Sequence, residues 1–156
     1  MIKPKLSISY YNPRLYPCEI VGWAMDERMT KSFVCDALRS AYWRKKPAPG
    51  LMHHTDLGSK YCFKAYLALQ TNYKMQTSMS NKGDCWDNAP MESFFGTLKT
   101  KCLHHYKFKT RDEAKRVTFD YIEVFYNLIR RHAKLRNQTP AEFAKSYRQN
   151  LKENAA

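Results

Sequence analysis

The chain is short of acid. Its 156 residues hold 14 Asp and Glu against 27 Lys and Arg, a formal net charge of +13. That favours a polyanionic partner, because the summed field of a basic surface draws in negative charge. Charge alone does not separate DNA from RNA or from an acidic protein. Long apolar runs are also missing: no stretch approaches the ~20 apolar residues that cross a bilayer. Met1-Ile2-Lys3-Pro4-Lys5 leads into no signal-like segment. These absences lead us to expect a soluble, intracellular chain with no membrane partner.

Cysteine is sparse and carries no pattern. Cys18, Cys35, Cys62, Cys85 and Cys102 are odd in number and never form a C-x-x-C pair. A disulfide framework is excluded, and small buried apolar groups in a reducing compartment are expected. Spacing argues against a zinc site, since His53-His54 and His104-His105 are adjacent rather than one helical turn apart. Internal repeats and low-complexity segments are absent. What is present is core material: 44% hydrophobic residues, with 8 Phe, 11 Tyr and 3 Trp. A domain of this length hides roughly 68–70% of its extended surface, so it needs no staple.

Cys18 to Met25 is apolar with partial alternation and predicts a buried strand, with Gly22 where something approaches closely. Thr30 is a candidate N-cap for a helix over 31–44, whose apolar stripe is Phe33, Val34, Ala37, Leu38, Ala41 and Tyr42. Leu51 to Thr55 predicts a short strand, Tyr61 to Leu69 a helix, and Lys74 to Met79 a third strand by alternation. Asn88-Ala89-Pro90 has the form of a cap with proline in the first turn, and opens a helix carrying Met91, Phe94, Phe95, Leu98 and Cys102. Thr110-Arg111-Asp112-Glu113 and Thr139-Pro140-Ala141-Glu142 have the capping-box form. The first predicts a helix with Val117, Tyr121, Val124, Phe125 and Leu128 on one face, and the second a last helix with Phe143 and Tyr147. Trp23, Trp43 and the Phe94-Phe95 pair are expected in the core. Strands alternating with helices predict an α/β domain with partly parallel strands.

In such sheets chemistry gathers at the carboxyl ends of strands, which is where Asp56 falls. Glu92 lies in the first turn of the helix that follows the polar loop 80–87, with 35 residues between the two acids. Lys99 is two turns beyond Glu92 on the same face. As bare chemistry, these are two arms of a divalent-metal cage and a phosphate clamp. Acids in such numbers are also ordinary surface groups, and spacing alone leaves both readings open.

Three strings carry a resemblance: His54-Thr55-Asp56-Leu57-Gly58-Ser59-Lys60-Tyr61, the run from Ser78 through Trp86 and Glu92 to Lys99, and Tyr126-Asn127-Leu128-Ile129-Arg130-Arg131-His132. They resemble the catalytic core of bacterial insertion-sequence transposases of the retroviral-integrase-like superfamily. Ile20 to Met25 and Gln138 to Glu142 look like family segments too. The resemblance implies an RNase H-like integrase core, an α/β fold whose mixed sheet is flanked by helices. It implies DDE-type transfer of DNA strands on two Mg²⁺ or Mn²⁺ ions held by two Asp and one Glu. On that pattern Asp56 and Glu92 are catalytic residues and metal ligands. Lys99 matches the family lysine on transposon-end DNA, while Trp86, Lys101, Arg130 and Arg131 are further candidate DNA contacts. The partners implied are DNA, both transposon ends and target, and a second copy of the chain; the setting implied is the bacterial cytoplasm at the nucleoid.

One element of the pattern is missing. The family's first Asp lies on a strand upstream of Ile20, and this chain has no Asp before Asp26. We therefore expect a divergent or truncated segment over 1–19, an integrase core over 20–137, and a C-terminal helix over 138–156 packed on that core. The first strands are expected to be missing or replaced, for example by residues 6–11. Two of three acids would hold metal weakly, so the chain is expected to be inactive alone. The rival expectation is a non-catalytic remnant that binds nucleic acid or sequesters subunits, and an RNase H-like nuclease is a third.

Overall fold

The computed structural model describes residues 3–7, 18–26, 31–55, 64–79 and 85–153, with the backbone alone at 3–7, 26, 31, 54–55, 78–79, 85–92 and 151–152. Contacts divide the chain into two compact units: Met1–Tyr16 with Ile20–Glu92, and Pro17–Glu19 with Ser93–Ala156.

In the first unit, strand β1 (Lys3–Ser7) pairs antiparallel with β2 (Gly22–Asp26), in a register that sets Leu6 opposite Trp23. The segment along β2 is thus 3–7, which shares only residues 6 and 7 with the expected replacement strand 6–11, and 8–11 lie outside the described residues. Helix α1 (Lys31–Lys45) buries Phe33, Val34, Cys35, Ala37, Leu38 and Ala41. It lies so close to β2 that a methyl group on Gly22 would stand 2.4 Å from the Ala37 carbonyl oxygen and 2.5 Å from the Ala41 Cβ. Close approach, and no special backbone angle, is the reason for glycine here. Strand β3 (Met52–Thr55) and β4 (Gln76–Met79) pair in parallel, with helix α2 (Lys64–Asn72) as the crossover. Phe33, Val34, Cys35, Leu38 and Tyr66 form the core cluster, closed by Ala24, Leu69 and Met75. Inside it, His53 Nε2 meets the Tyr66 hydroxyl at 2.9 Å, so a buried polar pair is satisfied rather than left for water.

The second unit is helical. Helix α3 (Cys85–Lys101), which belongs to the first unit up to Glu92 and to the second from Ser93, starts before the Asn88-Ala89-Pro90 sequence that was expected to open it, so Pro90 sits inside the helix. Proline costs the bond it would donate four residues back, to the carbonyl of Trp86; the helix carries that loss within its first turns. Helix α4 (Arg111–Phe119) is capped as expected, with Glu113 N–H donating to Thr110 Oγ1 at 3.2 Å. The Glu113 carboxylate reaches one residue further back than in the usual box and accepts from Lys109 N–H at 2.8 Å. Helix α5 (Pro140–Glu153) has the full reciprocal box: Glu142 N–H donates to Thr139 Oγ1 at 3.2 Å and Thr139 N–H to Glu142 Oε2 at 2.9 Å.

Between α4 and α5 the backbone widens. Residues Asp120–Ile129 form a π-helix, closed by Arg130 N–H donating to the Phe125 carbonyl five residues back at 2.7 Å. This corrects the expected apolar face. A 3.6-residue repeat sets Tyr121, Val124, Phe125 and Leu128 together, whereas the wider turn buries Tyr121, Ile122, Tyr126 and Asn127 and leaves Val124, Phe125 and Leu128 exposed. Trp43 is a second correction. It was expected in the core and is 64% exposed, because it lies two residues, about 200° of helix, past the last buried residue Ala41 and so faces away from the stripe.

Candidate functional site

The parallel pairing of β3 and β4 fixes a direction: β3 runs from Met52 to Thr55, and position 56 follows its carboxyl end. Asp56 itself lies outside the described residues, as does Thr30. Glu92 and Trp86 are on α3, where the backbone alone is described, so the separation of the two carboxylates is not part of the geometry. Hard oxygen donors of this kind suit Mg²⁺ or Mn²⁺. Among the described residues no three His, Cys, Asp or Glu converge as a metal-ligand group.

Further along α3, Lys99 and Lys101 occupy the last turn and are exposed, where their charges also complement the helix dipole. Arg130 and Arg131, adjacent in sequence, part company. Arg131 is exposed, while the half-buried Arg130 guanidinium sits 5.6 Å from the Tyr126 ring centroid. Tyr126 is the hub of an aromatic cluster: Phe94 packs edge to face against it at 4.7 Å and His132 at 5.0 Å. Burial, and then the nearby Arg130 charge, hold the His132 pKa below its ordinary value, so the neutral imidazole is favoured. Its Nε2 is buried with no hydrogen-bond partner among the described residues. A turn with Arg136 and Asn137 in the left-handed region brings Gln138 back so that its carbonyl accepts from His132 N–H at 3.0 Å.

Sequence reasoning missed two members. Tyr121 is buried near Arg130, whose positive charge opposes the upward push of burial on the phenol's pKa. Gln138 anchors His132. An asparagine two residues before Thr139 was the available signal for the turn, since Asn tolerates positive φ. The thiols of Cys35 and Cys102 are buried and that of Cys18 half-buried, and burial pushes all three pKa values up, as expected for inert apolar groups. Cys62 and the Cys85 side chain lie outside the described residues.

Two family models, both described as integrase core domain, match residues 15–85 and 92–148. This chain belongs to the integrase-core family of insertion-sequence transposases. An insertion element IS600 31 kDa protein of Shigella sonnei is 53% identical over 135 residues, which is 86% of this chain and 50% of the relative. The transposase InsF for insertion sequence IS3A of Escherichia coli K12 is 41% identical over 129 residues, 83% of this chain and 45% of the relative. The chain thus spans about half the length of the curated relatives it matches. Among solved structures, a chain of the simian T-cell lymphotropic virus intasome, in complex with the PP2A regulatory subunit B56 gamma, matches with a TM-score of 0.56 at 13% identity. That alignment covers 84% of this chain and 49% of the other. At that identity the likeness speaks for the fold, an RNase H-like integrase core with α/β architecture. Among the described residues, no helix of this transposase core is long and apolar enough to cross a membrane.

Proposed function

We propose that this chain is the catalytic-core portion of a DNA transposase, in which Asp56 and Glu92 are two of the three acids that hold Mg²⁺ or Mn²⁺. The observation that carries the reading is the pair of integrase-core matches, over 15–85 and 92–148, ranges that include Asp56 and Glu92. Bound metal supplies an activated oxygen nucleophile and stabilises the leaving oxygen at phosphorus. The chain's own part is to hold DNA: Lys99, Lys101 and Arg131 are exposed cations suited to phosphate, with Trp86 and Arg130 as further contacts. In this reading the segments are 1–19, the core 20–137 and the docked helix 138–156. The partners are transposon-end and target DNA and a second copy of the chain, in the bacterial cytoplasm.

With no Asp before Asp26, the 156 residues as they stand carry two of the three acids and are inactive alone. The test is metal-dependent nicking and strand transfer on labelled end DNA. The expected result is no product from the chain itself, and product once the amino-terminal half of the Shigella relative is joined ahead of Ile20, lost again on Asp56→Ala or Glu92→Ala. Product that survives both substitutions would overturn the reading. Salt-sensitive DNA binding without product in either form favours the second reading, a non-catalytic nucleic-acid-binding remnant, which the surplus of 13 positive charges supports.

A further inference from the structure

At the end of the first unit where β3 begins, aromatic rings and lysines gather where nothing in the catalytic reading needs them. Tyr42, near the end of α1, stacks on Tyr73, just past α2, with centroids 3.7 Å apart and planes 2° apart. Trp43 meets Tyr42 edge to face at 5.7 Å and 81°. An edge-to-face contact takes at most one face of the indole, and Trp43 is 64% exposed. On the order of 150 Å² of the largest apolar side chain is thus left in water.

Arg44, Lys46 and Lys74 are exposed around it, with Lys45 half-buried. Lys46 and Lys74 each follow a helix end in the left-handed region, at φ 41° and 52°, where glycine is the favoured residue. The two helix ends are tied together: Gly50 N–H donates to the Lys74 carbonyl at 2.7 Å, and Gln76 N–H to the Leu51 carbonyl at 2.9 Å. Between Asp36 and Asp84 the chain has one acid, Asp56, and Asp36 is ion-paired with Arg39 at 2.8 Å. The four residues of β3 carry the chain roughly 13 Å from this end to the strand's carboxyl end.

We infer that the carboxyl ends of α1 and α2 form a second nucleic-acid site, in which Trp43 stacks on an unpaired base and Arg44, Lys46 and Lys74 meet the flanking phosphates. The ligand is single-stranded DNA. A free indole face beside fixed cations matches the stacking platform and charged groove by which single strands are held without sequence preference. An acidic peptide would use the cations and leave the ring idle. The site uses neither Asp56 nor Glu92, so its failure would leave the nicking test of the transposase reading untouched.

The test is fluorescence anisotropy of the full chain with labelled octathymidylate. Trp43→Ala should weaken binding about tenfold and Trp43→Leu equally, while Trp43→Phe keeps it within about threefold, because the ring face rather than bulk makes the contact. Lys46→Gly with Lys74→Gly should hold or raise the melting temperature, since glycine fits both positive φ angles. The same pair should lower the slope of log affinity against log salt by about 1.4. Unchanged binding in Trp43→Ala would overturn the proposal, as would polyglutamate of equal charge competing as well as the unlabelled oligonucleotide.

Discussion

The two units reach close packing by opposite means. In the first, β2 and α1 approach until no Cβ fits at residue 22, and small residues, Ala37 and Ala41, face the glycine. In the second, bulk and caps do the same work: Leu98 and Ile122 are fully buried, Tyr126 holds Phe94 and His132 about it, and α4 and α5 each begin on a threonine. The lesson is that the first unit is vulnerable to an added atom and the second to a removed one.

The largest expected effect is therefore in the second unit, where Ile122→Ala should cost about 4 kcal/mol by leaving a cavity in a core that a π-helix cannot easily close. Urea denaturation checks it, and a loss under 1 kcal/mol would break the contrast. Next comes Gly22→Ala, whose methyl meets backbone atoms that cannot rotate away; the expected loss is about 3 kcal/mol. A glycine kept for flexibility alone would instead gain stability on this change, so the sign decides the matter.

Caps give smaller effects. Thr139→Ala should cost about 1 kcal/mol, and Thr110→Ala less, because Thr139 is buried and holds both bonds of its box whereas the Glu113 carboxylate pairs with Lys109. Thermal melts of the two variants rank them.

The smallest effects are those of pH. His132 has a folded pKa below its ordinary value of about 6.5, so the unfolded chain takes up a proton that the folded chain refuses. Its contribution is whole above pH ~6.5 and is lost as pH falls below that value. Glu142 is held below the carboxylate range by the backbone and hydroxyl bonds of Thr139, and its contribution fades at more acid pH, as the folded carboxylate takes its proton. Denaturation midpoints between pH 7 and 5 should flatten in His132→Gln and stay sloped in Glu142→Gln.

How much of this the sequence shows depends on how local the cause is. Both capping boxes are local chemistry, and Thr110 and Thr139 start their helices where the spacing predicts. The alternation of Met75, Thr77 and Met79 is likewise local, and β4 follows it. The π-helix was not legible, because it shifts the buried set from Val124, Phe125 and Leu128 to Ile122, Tyr126 and Asn127 without changing which residues are apolar. Nor was the start of α3: Pro90 suits a first turn so well that its place inside a helix has no local sign. Trp43 misled because a large aromatic is usually buried, and its exposure follows from its place on the side of α1 opposite the buried stripe. Asp56 and Glu92 stood out only through family resemblance; Glu92 lies on α3, and Asp56 lies outside the described residues.

That pair is the central claim, and a double-mutant cycle on Mn²⁺ binding tests it most directly. If both carboxylates hold one ion, Asp56→Ala, Glu92→Ala and the double variant should lose Mn²⁺ affinity to nearly the same extent, since the first loss already removes the shared site. Losses that add independently, or an unchanged affinity in either single variant, would contradict it.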